Sequence, residues 1–240
     1  MNKEQEHSYI IPPPPRPALP VKDSKQWFAV RRVYCIGQNY SEHTIEMGGN
    51  PQKDKPFFFE KNADSVSASG VFPYPSVSRN VHHEIELVVA LGESGSLLTP
   101  QQAERLIFGY AVGLDMTLRD LQAELKQCGR PWEISKAFDF AAPCSPLVCA
   151  YTLEPLCDNV IWLDINGERK QSGKLSQMIL SVPEIIAQLS HYFVLHPGDL
   201  IFTGTPAGVG PVKPGDILHG GIDGVAELKV TVTGAQSPVL

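Results

Sequence analysis

The sequence contains no uninterrupted apolar run long enough to cross a membrane, so we expect no transmembrane helix. Residues 1–6 carry mixed charge and no apolar segment, which is not the pattern of a secretory signal. The five cysteines form no Cys-x-x-Cys pair, and an odd, scattered set is typical of reduced thiols. These absences predict a cytoplasmic protein with no membrane partner.

Positive charge is also in short supply. The chain has 20 lysines and arginines against 26 aspartates and glutamates, which gives a formal net charge of −6. An acidic surface repels phosphate backbones, so we expect no nucleic-acid partner. A small anionic substrate would need a local cation to offset the overall field.

Three common catalytic or phosphate-binding motifs are absent. The glycine-rich segment 204–210 (GTPAGVG) lacks the Gly-Lys-Ser/Thr ending of a phosphate loop. No Gly-x-Ser-x-Gly elbow occurs anywhere in the chain. His83–Glu84 begins like a zinc protease motif, but Leu87 stands where the second histidine is required.

Glycine and proline, by contrast, are abundant, with 20 and 21 copies among 240 residues. This composition predicts many turns and short strands and excludes a helical bundle. The length favours one domain with an appendage, and residues 11–20 hold six prolines, which is typical of an extended arm. We therefore expect a proline-rich N-terminal arm over 1–30 and a single domain over 31–240.

The order of the predicted elements indicates an α+β fold that is dominated by strands. Apolar and alternating stretches predict strands over 26–36, 82–91, 110–114 and 160–165, the last with an Asn166–Gly167 hairpin turn. Start signals predict helices beginning near Ser41, Thr99, Thr117 and Ser181.

The clearest chemical signal is Glu84-x-Glu86 in an otherwise apolar strand. Side chains two apart on a strand share a face, and two buried carboxylates are costly unless a cation neutralises them. Asp115 ends another apolar strand, and Asp120 lies near it. An all-carboxylate set suits Mg²⁺, Mn²⁺ or Ca²⁺ better than Zn²⁺. The alternative is that the two glutamates lie at the solvated entry of the strand.

A second group of residues could handle protons and anions. His43 and Glu46 are three apart on a short predicted helix, a spacing that suits a general base oriented by a carboxylate. The alternative is an incidental pair on a surface helix. Arg119 and Gln122 are also three apart, and Lys136 follows them; Arg119 and Lys136 would supply the positive charge that an anionic substrate needs.

Several long blocks, in order, resemble the fumarylacetoacetate hydrolase superfamily from about Arg31 to Val232. The blocks are YCIGQNYSEH (34–43), HHEIELVVALG (82–92), GYAVGLDMTLRD (109–120), GRPWEISKAFDFAAP (129–143) and PGDLIFTGTPAGVG (197–210). The phrases GRPW and KAFDFAAPCSP resemble the acylpyruvate hydrolases, and especially the bacterial fumarylpyruvate hydrolases of the gentisate pathway.

This resemblance implies a mixed β-sheet roll with a few flanking helices, usually assembled as a homodimer. It implies that Mg²⁺ or Mn²⁺, with Ca²⁺ able to substitute in crystals, is held by residues matching Glu84, Glu86 and Asp115. It implies catalytic roles on a lid helix and near the metal for His43, Glu46, Lys136 and Gln122. It implies substrate-binding roles for Arg119, Thr205 and the position of Gln38.

Gln38 is a departure, because the superfamily usually has arginine there. Losing a fixed cation could weaken binding of a second substrate carboxylate. Arg31, Arg32 and Arg79 are the candidates to compensate.

The resemblance makes 31–240 a catalytic domain that hydrolyses a carbon–carbon bond of a 2,4-diketo acid, with fumarylpyruvate as the expected substrate. Two other activities of the superfamily stay open, namely oxaloacetate decarboxylation and the isomerisation or decarboxylation of dienoates. A non-catalytic ligand-binding or scaffold protein on this fold is the alternative of another class, because a fold alone does not determine function.

Overall fold

Strands outnumber helices in the computed structural model, which describes residues 9–53 and 55–234. The strands are β1 (Ala18–Pro20), β2 (Trp27–Ala29), β3 (Arg32–Gly37), β4 (Phe57–Lys61), β5 (Val66–Ser67), β6 (Val71–Pro73), β7 (Val81–His83), β8 (Ile85–Leu91), β9 (Ile107–Leu114), β10 (Thr117–Leu118), β11 (Ala142–Pro143), β12 (Val148–Cys149), β13 (Val160–Ile165), β14 (Glu168–Lys174), β15 (Asp199–Phe202), β16 (Gly210–Pro211), β17 (Ile217–Ile222) and β18 (Ala226–Thr233). The helices are α1 (Ser41–Glu46), α2 (Pro100–Ala103), α3 (Arg119–Gln127), α4 (Glu133–Lys136) and α5 (Val182–Tyr192). The α+β class with few helices is confirmed.

A six-stranded mixed sheet, in the order β12-β9-β8-β15-β3-β4, forms the centre of the fold. Every residue of β8 is buried, because one face packs into the main core cluster through Leu87 and Val89 and the other into a second cluster through Val88 and Ala90. Burial on both faces explains why this strand is apolar throughout rather than alternating.

A five-stranded sheet, in the order β14-β13-β17-β18-β6, packs its apolar face into the main cluster together with α5. The predicted hairpin is confirmed: β13 and β14 are antiparallel, and Asn166 and Gly167 connect them with φ of 53° and 84°. Two successive positive φ values match the right-handed twist of the strands, and Asn-Gly is the dipeptide that tolerates them.

Two predicted helix starts are capped by nearby side chains. Thr99 exchanges hydrogen bonds with Gln102 at the start of α2, and the N–H and hydroxyl of Ser181 both donate to the Glu184 carboxylate at the start of α5. The third start differs: Thr117 lies in β10, and α3 begins at Arg119 after Leu118. The remaining predicted start, near Ser41, is that of α1, whose first residue is Ser41.

The predicted strand over 82–91 is two strands that meet at Glu84. Strand β7 pairs with β10 and β16 in a small three-stranded sheet, whereas β8 pairs with β9 and β15 in the central sheet. The chain therefore changes sheet at Glu84, which the continuous apolar pattern did not reveal.

The segment before residue 31 contributes to the second core cluster. Leu19 is fully buried and Val30 nearly so, next to the two-stranded β1–β2 sheet. The division of the chain at residue 30 remains a prediction. The sequence prediction for residues 1–6 lies outside the described residues. Within the described part, no helix is long and apolar enough to cross a membrane.

Candidate active site

Three carboxylates meet where the central sheet ends. Glu86 lies on β8 opposite Gly113 of β9, and the next step of the ladder brings Asp115 beside Glu84, whose carbonyl accepts a 2.8 Å hydrogen bond from the Asp115 N–H. One oxygen from each carboxylate lies within 4.8 Å of the others. The three residues are only 5%, 2% and 1% exposed, so the glutamates do not lie at a solvated strand entry.

Buried cations neutralise two of these carboxylates. Lys136 Nζ lies 2.8 Å from Glu84 Oε2 and 2.7 Å from Asp115 Oδ2. Lys61 Nζ lies 2.8 Å from Asp115 Oδ1, and Arg119 pairs with Glu84. Sequence reasoning missed Lys61; its only signal is a lysine at the end of an aromatic strand, FFFEK, where a buried charge requires a partner.

Glu86 is in a different position from its neighbours. Its one hydrogen bond is accepted from the Gly204 N–H at 2.8 Å, and within the described ranges no cation pairs with it. Burial raises the pKa of Glu86 well above its ordinary value, and the charges of Asp115 and Glu84 raise it further. Burial acts in the same direction on Glu84, but there Lys136 and Arg119 outweigh it and lower the pKa.

This donor set fits a divalent cation. All three candidate ligands offer carboxylate oxygen, which hard ions such as Mg²⁺ and Mn²⁺ prefer. The fit is strongest at Glu86, because a buried carboxylate without a cationic partner is costly and a bound cation would remove that cost. Asp120 does not belong to the cluster, since its carboxylate accepts from the Ser78 hydroxyl at 2.7 Å and the Arg79 N–H at 3.1 Å.

The His43–Glu46 pair lies beside the carboxylates and not on an open surface. His43 Nδ1 is 3.1 Å from Glu46 Oε2, and the His43 side chain is 9% exposed. Because a carboxylate only accepts, Nδ1 carries the proton, which leaves Nε2 able to accept one. The other oxygen of Glu46 accepts a 3.0 Å hydrogen bond from the Gly208 N–H.

Arg119 orients Gln122 on the first turns of α3. Arg119 Nη1 donates to Gln122 Oε1 at 2.6 Å, so the Nε2 donor points away from the arginine. No acceptor in the described part of the chain takes a hydrogen bond from that Nε2, and Gln122 lines the cleft over the carboxylates. The amide can therefore donate to a bound molecule.

A buried glutamine, Gln171 of β14, holds the segments on either side of Glu84. Its Oε1 accepts from the Ile85 N–H at 3.1 Å and lies 2.9 Å from His83 Nδ1. Its Nε2 donates to Thr205 Oγ1 and to the Pro206 carbonyl, both at 2.8 Å. No local pattern indicates this residue, which is 88 positions from His83.

The predicted site residues converge on one cleft. Its walls include Gln38, His43, Glu84, Glu86, Asp115, Arg119, Gln122, Lys136 and Thr205. Glu46 reaches it through its hydrogen bond to His43. Arg31 pairs instead with Asp199 at 2.9 Å, Arg32 Nη1 donates to the Tyr34 hydroxyl, and neither they nor Arg79 contribute to the described cleft walls.

An aromatic wall, unnoticed in the sequence, completes the cleft. Phe57 and Trp132 meet edge to face with ring centroids 5.1 Å apart, and Phe59 lies 6.3 Å from Trp132. Lys136 Nζ also lies over the Phe59 ring at 5.1 Å. The cleft thus has a charged end at the carboxylates and an apolar side along these rings.

Comparison with known proteins gives a family match over most of the chain. The model of the fumarylacetoacetate hydrolase C-terminal family matches residues 32–233. The crystal structure of fumarylpyruvate hydrolase from Pseudomonas aeruginosa, in complex with Mn²⁺ and pyruvate, is 47% identical with a TM-score of 0.92, covering 94% of this chain and 99% of that one.

Curated relatives carry more than one activity. A fumarylpyruvate hydrolase from a Ralstonia species is 43% identical over 184 residues, which is 76% of this chain and 95% of the relative. A mitochondrial oxaloacetate tautomerase from Mus musculus is 38% identical over 209 residues, which is 87% of this chain and 95% of the relative.

Proposed function

The chain belongs to the fumarylacetoacetate hydrolase family, and from this premise we propose that it hydrolyses a carbon–carbon bond of an acylpyruvate, with fumarylpyruvate as the substrate and fumarate and pyruvate as the products. The single observation that carries the proposal is the His43–Glu46 pair, joined at 3.1 Å, in the same cleft as the three buried carboxylates. A histidine with one ring nitrogen fixed by a carboxylate and the other directed to a cleft suits removal of a proton from water.

Glu84, Glu86 and Asp115 would hold Mg²⁺ or Mn²⁺. Such an ion supplies Lewis-acid polarisation of the 2-oxo acid end of the substrate. Mn²⁺ in the structure of the Pseudomonas aeruginosa relative supports this choice. Arg119 and Thr205 border the same cleft and would bind the substrate carboxylate. The Thr205 hydroxyl donates to the Ile85 carbonyl in this structure, so it would have to turn to donate to the substrate.

The protein's own groups then account for the chemical steps. His43 Nε2 takes a proton from water, and the water oxygen adds to the acyl carbonyl carbon of the substrate. The Gln122 Nε2 amide, whose orientation Arg119 fixes, donates to the developing oxyanion, with Lys136 adding positive charge. The bond between that carbon and the adjacent methylene breaks, and its electron pair stays on the pyruvate half, to which His43 returns the proton that it took from water. The acyl half forms as a carboxylic acid and leaves as a carboxylate after losing its proton to solvent.

The test is a spectrophotometric assay with fumarylpyruvate, acetylpyruvate and oxaloacetate side by side in MnCl₂ or MgCl₂. We expect loss of the enol absorbance of fumarylpyruvate with equal amounts of fumarate and pyruvate formed. In ¹⁸O-labelled water, one label should enter the new carboxylate of fumarate. No loss with either acylpyruvate would refute the proposal.

Oxaloacetate tautomerisation or decarboxylation is the second candidate, because the Mus musculus relative is a tautomerase and a Dictyostelium discoideum relative, 38% identical, is an oxaloacetate decarboxylase. Both reactions would use the same carboxylate cluster without an attacking water. If the assay above shows conversion of oxaloacetate but of neither acylpyruvate, the chain belongs to this class of enzyme. Binding of all three compounds without conversion would instead indicate a ligand-binding protein.

We also propose that the enzyme acts as a cytoplasmic homodimer in gentisate-type degradation of aromatic compounds. Exposed aromatic side chains support an assembly: Trp27 is 64% exposed and Tyr151 87% exposed, and both border one groove. Light scattering coupled to size-exclusion chromatography would measure the mass, and a monomer would contradict the dimer.

A further inference from the structure

Three cations line the cleft in the described part of the chain, and two of them are already paired. Arg119 binds Glu84 and Gln122, and Lys136 binds Glu84 and Asp115. Lys126 is different, because no described carboxylate lies within ion-pairing distance of its ammonium group. Its charge is therefore available to a molecule in the cleft.

The position of Lys126 follows from the helix that carries it. Arg119, Gln122 and Lys126 stand at positions i, i+3 and i+7 of α3, which places them on one face. Lys126 lies one turn, about 6 Å, beyond Gln122 along the axis, on the side away from Arg119 and its partner Glu84. A molecule held at the carboxylates and extended along α3 would reach Lys126 with its far end.

Among the described walls of the cleft, no other cation is free of a carboxylate partner. Met47, Phe57 and Trp132 are apolar, and Gln38 contributes a neutral amide in place of the expected arginine. An anionic group on the substrate would therefore depend on Lys126 for charge compensation.

We propose that Lys126 binds the distal carboxylate of the substrate and makes the enzyme selective for acylpyruvates that carry a second acid group. This inference rests on the proposed function and names the substrate class within it. Lys126 thereby supplies the positive charge that the neutral Gln38 cannot supply. It does so from α3 and not from the segment between β3 and α1, where Gln38 lies.

The test compares kcat/KM for fumarylpyruvate with kcat/KM for acetylpyruvate, which lacks the second carboxylate, in MnCl₂. We expect the fumarylpyruvate-to-acetylpyruvate ratio to fall about fivefold in Lys126→Gln, because a charge-assisted contact is lost at an exposed position, where solvent screens it. Lys126→Arg should keep most of the ratio. The matched control is Arg130→Gln, an exposed cation just beyond α3 and outside the described cleft walls, which should leave the ratio unchanged.

A ratio that stays within twofold in Lys126→Gln, or that falls equally in Arg130→Gln, would overturn the assignment. If the wild-type protein hydrolyses neither compound, the proposed function fails, but the affinities of both compounds measured by calorimetry with MnCl₂ still decide the role of Lys126. About fivefold weaker binding of fumarylpyruvate to Lys126→Gln, with acetylpyruvate affected less, would support it, and equal weakening of both compounds or no weakening would overturn it.

Discussion

Acidic and basic side chains share the buried centre of the cleft, and their pairing is uneven. In the described part of the chain, Lys136 contacts two of the three carboxylates, whereas Glu86 has only a backbone N–H. A bound metal cation would therefore gain the most binding free energy at Glu86, which has no cationic partner. At Glu84 and Asp115 the metal cation would compete with Lys136 for the carboxylate oxygens.

His43→Ala should lower kcat by about 10²- to 10⁴-fold, because a positioned general base contributes that much to proton transfer. Mn²⁺ affinity, measured by calorimetry, should stay unchanged, since in the described part of the chain the hydrogen bond of His43 goes to Glu46 and not to the proposed ligands Glu84, Glu86 and Asp115. His191→Ala, at an exposed position of α5, is the control and should keep wild-type kcat. Wild-type turnover of acylpyruvates by His43→Ala would refute the role of this pair.

Lys136→Met should lower the stability of the metal-free protein and raise its affinity for Mn²⁺. The free energy of unfolding of the metal-free protein should fall by about 3 kcal/mol, because Glu84 and Asp115 lose a buried counter-charge. Mn²⁺ affinity should rise, because the ammonium group no longer competes for oxygens of two of the proposed ligands. Urea unfolding and calorimetry measure the two quantities, with Lys213→Met at an exposed position as the control. Unchanged or weaker Mn²⁺ binding would contradict the competition.

At the scale of elements, the segment after β15 connects the two halves of the site. The Gly204 N–H donates to Glu86, Thr205 Oγ1 donates to the Ile85 carbonyl, and the Gly208 N–H donates to Glu46. One glycine-rich segment thus holds a candidate metal ligand and orients the carboxylate behind His43. The sequence of this segment excluded a phosphate loop, but it did not indicate the hydrogen bonds to Glu86 and Glu46.

Gly208→Ala should reduce kcat much more than Gly215→Ala, although both glycines have nearly the same φ, +97° and +95°. A Cβ on Gly208 would lie 2.2 Å from the Lys170 carbonyl oxygen, whereas a Cβ on Gly215 meets nothing within 4 Å. Both changes add backbone strain of about 1–2 kcal/mol, but only the first displaces the N–H that Glu46 accepts from. Steady-state kinetics at matched folded fractions should show at least a tenfold larger loss for Gly208→Ala. Equal losses would mean that this N–H does not orient the pair.

At the scale of the whole molecule, the site lies at the ends of β8 and β9, two interior strands of the central sheet, and β8 is buried on both faces. Its walls come from β3, α1, β4, β8, α3, α4 and the segment after β15, so their geometry depends on the entire fold. The fully buried β8 keeps Glu86 in place, while helices α1, α3 and α4 carry most of the other polar side chains of the site.

Binding of Mn²⁺ should stabilise the whole protein, because the ligand set exists only when the sheet is formed. At a concentration 100 times the Kd, we expect about 2.7 kcal/mol of stabilisation, which corresponds to a rise in Tm of roughly 5–10 °C for a chain of this size. Differential scanning calorimetry before and after EDTA would measure it. Glu86→Gln, which removes one proposed ligand, should show no comparable rise; an equal rise in that variant would place the Mn²⁺ elsewhere.

Features that depend on a local pattern or on a short motif could be predicted before the fold was known. The Asn166–Gly167 turn and the capped start of α2 follow from nearby residues, and the closeness of Glu84 and Glu86 follows from side-chain alternation in an extended chain. Family blocks identified the residues that gather at the cleft, although their roles remain proposals.

Tertiary structure alone decided the features that depend on contacts between distant segments. Lys61 pairs with Asp115 in a distant segment of the chain, and Gln171 bonds with His83 across 88 positions. The change of sheet at Glu84 depends on which strands pair with β7 and β8, and no local pattern encodes that choice. A buried charge or amide is recognisable only through its partners, and those partners come together only when the chain is folded.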